Sequence, residues 1–106
     1  MKTKLLRAIQ RSELAYSYYK ENRQYFQALR IFEANQLVYL LLGEYLLKSK
    51  GDKTKPICEY MFHLEDWFNQ FETEVEKQNP TLEQEFIFVR LDNMIEFPKD
   101  FKEILL

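Results

Sequence analysis

The chain has 106 residues, 46% apolar and 30% charged, with a formal net charge of -2 at pH 7. That length and balance fit one folded domain and exclude wholesale disorder. Two Gly, three Pro, one Cys and one His exclude a turn-rich sandwich, an internal disulfide and any site needing two imidazoles.

A chain of this size buries roughly 60 to 70% of its unfolded surface, so it can build a core without metal or disulfide staples. Nine Phe, seven Tyr and one Trp supply large buried areas, and such rings dominate cores and interfaces alike. No targeting segment is visible: Arg7 and Arg11 interrupt the N-terminal apolar residues, and no small-residue cleavage site follows. The most apolar stretch, Leu37 to Leu47, carries Gly43 and Glu44 and is far shorter than the roughly 20 residues of a membrane span. The expectation is a cytoplasmic protein without membrane association.

The first helix is expected from Thr3, as N-cap, to about Glu21. Leu5, Leu6, Ile9, Ala15, Tyr16 and Tyr19 recur there at three- and four-residue spacing. The polar interval from Lys20 to Gln24 contains no Gly or Pro. One continuous helix remains open, but a turn lets two helices bury their apolar faces against each other. The second helix is expected from about Arg23 to Lys50. Tyr25, Ala28, Leu29 and Phe32 form one stripe in its first half, whereas LVYLLLGEYLL is apolar nearly all round, the pattern of a central or interfacial helix. Gly43 costs about 1 kcal/mol against Ala in a helix interior. Either close approach of another backbone or a kink would account for it.

SKGDKTKP, residues 49 to 56, is the clearest loop, and Pro56 suits the first turn of a third helix. That helix, to about Gln78, carries the cleanest pattern: Ile57, Tyr60, Met61, Leu64, Trp67, Phe68, Phe71 and Val75 fall on one stripe. Asn79-Pro80-Thr81 then breaks the chain, and Thr81 with Gln84 resembles a capping box. A fourth helix is expected to about Ile95, with Leu82, Phe86 or Ile87, Leu91 and Met94 or Ile95 inward. Phe86 to Val89 is β-prone by composition, so a short edge strand competes. Lys99 to Leu106 would add a last helical turn.

The stretch AYSYYKENRQYFQALRIFEAN, residues 15 to 35, resembles a tetratricopeptide hairpin. Tyr25, Ala28, Leu29 and Phe32 match the packing positions of that repeat's second helix. The first-helix Gly and Trp positions and the closing Pro are missing, and nothing repeats at the 34-residue period. A lone repeat cannot bury its own face, so the stretch is read as an ordinary helical hairpin.

Candidate chemistry is sparse. Glu59, His63 and Asp66 can share one face of the third helix, which would give an imidazole and two carboxylates for a metal. Di-metal bundles instead repeat a Glu-x-x-His unit on two helices, and residue 60 is Tyr. Cys58 near that helix's N-terminus has no base at helical reach. Glu72, Glu74, Glu76, Glu83 and Glu85 read as a solvated acidic face, and no EF-hand loop exists. Gly43 and Gly51 do not build a phosphate loop. Ser12, Ser17 and Ser49 lack a nucleophile-elbow context. The reading is therefore of a protein that is not an enzyme and needs no cofactor.

Charge is uneven along the chain. Residues 1 to 50 hold nine Lys or Arg against four Glu, a net of +5, and residues 51 to 106 hold six against thirteen acids, a net of -7. Lys4, Arg7 and Arg11, with Lys53 and Lys55 of the loop, are the candidate phosphate contacts. A pI near 5.5 and the absence of a nucleic-acid motif favour complementarity between the halves instead. Tyr18, Phe26, Ile31, Leu37, Val38, Leu41, Leu42 and Tyr45 offer more apolar surface on and beside the second helix than two neighbours hide. Exposed patches of this kind mark contact sites, most often symmetric dimers.

The expected fold is all-α: a four-helix up-down bundle or a helical-hairpin pair with a short C-terminal turn. The expected function is a small, self-associating interaction or regulatory protein, such as an adaptor, inhibitor or immunity-type binder. Its partner is another protein or a second copy. The alternatives are a nucleic-acid-associated regulator using the basic patches, and a metal-binding bundle centred on His63.

Overall fold

A computed structural model describes residues 2–48 and 54–91. Among the described residues three helices carry the fold: α1 (Lys2–Glu21), α2 (Tyr25–Lys48) and α3 (Thr54–Gln78), followed by a 3-10 turn at Val89–Leu91. The breaks fall within a few residues of the expected ones, although α1 begins before Thr3, which lies inside its first turn. The break between α1 and α2 at Asn22–Gln24 decides for two helices over one.

The helices run up, down and up, as the cross-helix pairs show. The Ser12 hydroxyl of α1 donates to Asn35 Oδ1 of α2 at 2.5 Å in the core, and the Tyr39 hydroxyl of α2 donates to Glu65 of α3. Small buried residues line the α1/α2 seam: Ala8, Ser12 and Ala15 face Ala28, Ala34 and Asn35. The two backbones therefore run close along their length, because interaxial distance follows the size of the side chains between helices. The α3 helix stands farther off on Tyr60, Leu64, Trp67 and Phe71, all buried.

Two clusters form the core. Leu5, Ala8, Ile9, Val38, Leu42, Ile57, Tyr60 and Leu64 fill one end. The other end is aromatic, with Trp67 stacked on Phe71 at 5.2 Å between centroids and Phe86 against Phe71 at 5.4 Å. Each fully buried side chain of this size contributes about 1.5 to 3 kcal/mol of transfer free energy.

The fourth helix expected from residue 81 does not form within the described residues; residues 92–106 lie outside them. Asn79 ends α3 in a left-handed conformation, with φ 44°, a geometry Asn tolerates at a helix C-terminus. The capping-box pair makes half its bonds: Gln84 Oε1 accepts from the Thr81 backbone N–H at 2.9 Å, yet a turn follows. The chain then runs extended past the α1–α2 break, with one isolated antiparallel bridge between Gln24 and Glu85. Extension places Phe86 and Phe88 on one side and Ile87 on the other. Both Phe are buried, while Ile87 and Leu82 are exposed. A helix would have set Phe86 and Phe88 on different faces and left one in water. The edge-strand alternative is likewise reduced to that single bridge.

This return segment also finishes α2. The first N–H groups of a helix have no partner within it. Here Tyr25 N–H donates to the Gln84 carbonyl at 2.8 Å and Phe26 N–H to the Leu82 carbonyl at 3.0 Å. The segment then fills the groove between α1 and α3 at the aromatic end. Phe86, Phe88 and Leu91 join the aromatic cluster, and Arg90 pairs with Asp66 at 3.0 Å.

Of the two accounts of Gly43, close approach of another backbone is not found among the described residues: a Cβ there would meet the Met61 Cε methyl at 3.8 Å, and α2 continues through the position.

Candidate protein-docking face

The α2 sequence divides into two stripes of three- and four-residue spacing. Ala28, Ile31, Asn35, Val38 and Leu42 point into the core. Arg30, Glu33, Leu37, Leu40, Glu44 and Leu47 are exposed. The second stripe alternates four- and three-residue steps, the spacing of a helix that packs on another helix. Leu40 is 64% exposed and Leu37 37%, so apolar side chains stand in water at its centre.

Next to it α1 presents a matching stripe: Lys4, Arg7, Arg11, Leu14 and Tyr18, all exposed. Between the stripes lies a groove of about 490 Å³, walled by Arg11, Leu14, Tyr18, Leu37 and Leu40 over the small residues Ala15 and Ala34. On the other flank of α2 a second groove of about 550 Å³ is lined by Gln36, Tyr39, Leu40, Glu65, Phe68 and Asn69. Gln36 and Leu40 belong to both. The open face is therefore one surface, with α2 as a ridge between two grooves. The Tyr39–Glu65 hydrogen bond floors the second groove and raises the tyrosine's pKa, burial and the carboxylate charge adding in the same direction.

The candidate interface residues separate accordingly. Tyr18 and Leu37 line the open face, and Phe26, Leu41 and Tyr45 are half-buried. Val38 and Leu42 are 1% and 0% exposed, as is Ile31 at 0%. They belong to the core and are withdrawn as interface residues, because α1 and α3 both close over that side of α2. Sequence reasoning missed Leu14 and Leu40, the most exposed apolar residues of the first groove. The signal was the spacing 33, 37, 40, 44 and 47, hidden because the buried stripe of the same helix is equally apolar.

Of the candidate phosphate contacts, Lys4, Arg7 and Arg11 share the exposed α1 stripe and Lys55 is exposed at the start of α3; Lys53 lies outside the described residues. Glu59 and His63 are exposed on α3. Asp66 is turned to Arg90 and to Gln70 Nε2 at 3.2 Å. Among the described residues no three His, Cys, Asp or Glu side chains converge to hold a metal. Cys58 is half-buried. No described helix is long and apolar enough to cross a membrane.

No protein-family model matches the chain, and neither the curated proteins nor the solved structures compared with it gave a match.

Proposed function

We propose that this protein is a non-enzymatic, self-associating interaction module, and that the open face of α2 is its working surface. The observation that carries this reading is the position of Leu40. A large apolar side chain stands exposed on the ridge between two grooves, with most of its surface in water. Exposed apolar patches rimmed by charge are typical of protein contact sites. Here Arg11, Arg30 and Glu33 supply the rim.

The test is solution mass by light scattering across a concentration series. A dimer of twice the 13.0 kDa chain is expected at micromolar concentration, and Leu40→Glu is expected to return it to monomer with unchanged helicity. A wild-type chain that stays monomeric throughout refutes the reading.

A second reading is favoured by one observation. Lys4, Arg7 and Arg11 are exposed along one α1 face, and they take part in none of the ion pairs found among the described residues. Such a row suits phosphates. Retention on nucleic acid at 150 mM salt would support it; loss above about 50 mM would mark the binding as nonspecific.

A further inference from the structure

We infer that the occupant of the two grooves is a second copy of this chain, docked about a two-fold axis parallel to α2, so that the two α2 helices run parallel. This rests on the interaction-module reading and specifies its partner and orientation.

The three described helices leave three surface grooves between them. At the aromatic end the return segment already fills the one between α1 and α3 with Phe86, Phe88 and Leu91. The other two meet at Gln36 and Leu40. The surface offered is thus a ridge with a groove on either side, and a copy of that shape can fill it only if ridges enter grooves.

Symmetry then selects the orientation. A two-fold axis lying across the helices keeps each element at its own lateral position, so ridge meets ridge and basic α1 meets basic α1. An axis along the helices exchanges left and right. The α2 ridge of each copy can then lie in the α1/α2 groove of the other, and each α1 lies over the other copy's α2/α3 groove. An isologous contact of this kind uses every pairing twice.

Charge favours the same choice. The α1 helix carries five Lys or Arg against Glu13 and Glu21. The α3 helix carries Lys55 and Lys77 against six acids. The heights also agree. Arg11 adjoins Ser12, which is bonded to Asn35, and Glu65 is bonded to Tyr39. Asn35 and Tyr39 are one turn apart, about 6 Å, and Arg7 lies one turn from Arg11 in that direction. Arg7 and Arg11 therefore bracket the height of Glu65 in the second copy. Opposite charges aligned this way set register and orientation.

The test uses the full chain with Cys58→Ser as background. Glu33→Cys and Glu44→Cys sit three turns apart on the ridge, about 16 Å. Parallel helices predict that each variant forms a same-site disulfide with its own copy under mild oxidation. In addition, Arg7→Glu with Arg11→Glu, or Glu65→Arg alone, should weaken the dimer at least about tenfold. All three together should restore it to within about threefold. Circular dichroism confirms that each variant is folded. A dimer that links only Glu33→Cys to Glu44→Cys in a mixture, or that the combined charge reversal fails to restore, overturns this orientation and leaves the interaction module standing. A monomer at every concentration overturns both.

Discussion

The Tyr19 hydroxyl donates a 2.6 Å hydrogen bond to the Phe86 carbonyl, joining α1 to the return segment across 67 residues of sequence. Tyr19 is fully buried, and so is Phe86. The bond therefore satisfies two groups that water cannot reach, at the point where the chain crosses the α1–α2 break. Tyr19→Phe leaves the carbonyl without this donor and is expected to cost about 1 to 2 kcal/mol. Urea unfolding should show a lower midpoint with unchanged slope.

The Ser12–Asn35 pair poses the same question inside the α1/α2 seam. Both residues are buried, and the bond spans 2.5 Å. Removing one partner strands the other, so Ser12→Ala or Asn35→Ala should each cost about 1 to 3 kcal/mol. Removing both should cost less than the sum of the two, and a double-mutant cycle measures the difference. Strict additivity would mean that the pair carries no coupling.

Gly43 is a place where the protein can be made more stable. A Cβ there meets only a methyl at ordinary van der Waals distance, 3.8 Å. Gly43→Ala therefore removes the helix penalty without a clash, and a gain of about 0.5 to 1 kcal/mol is expected. Thermal unfolding checks it; a loss would mean that Met61 cannot accommodate the new group.

Leu40 and Leu42 are two residues apart with opposite environments, 64% and 0% exposed. Leu42→Ala should cost about 2 to 5 kcal/mol through the cavity it opens. Leu40→Ala should change chain stability by less than about 0.5 kcal/mol, measured at protein concentrations below the onset of association. Comparing the two unfolding midpoints separates core from contact surface.

Alkaline pH should destabilise the protein. Burial pushes the Tyr60 hydroxyl far above its ordinary value of 10.0, and Tyr16 adds in the same direction. The unfolded chain releases that proton near its ordinary pKa, whereas the folded chain retains it. Stability contributed by Tyr60 is thus complete below pH 10 and falls above it, by up to about 1.4 kcal/mol per pH unit. Tyr60→Phe should flatten the decline when unfolding midpoints are followed from pH 9 to 11.

The sequence by itself determined three helices, their breaks and most of their inward residues. Ile57, Tyr60, Leu64, Trp67 and Phe71 repeat with the helical period, and the polar residues around them allow only one face to be buried. The Asn79-Pro80 interruption is equally local, since Asn and Pro act on their own backbone. Only the tertiary structure decided the rest. Residues 81 to 88 contain a helix-start signal, but burying Phe86 and Phe88 together requires an extended chain, and the bare N–H groups of α2 donate to its carbonyls. The face of α2 was undecided for a related reason. Val38, Leu42, Leu37 and Leu40 are alike in sequence, and their fates differ because α1 and α3 close over one side. The return segment occupies the aromatic end of the α1/α3 groove and leaves Leu40 outside.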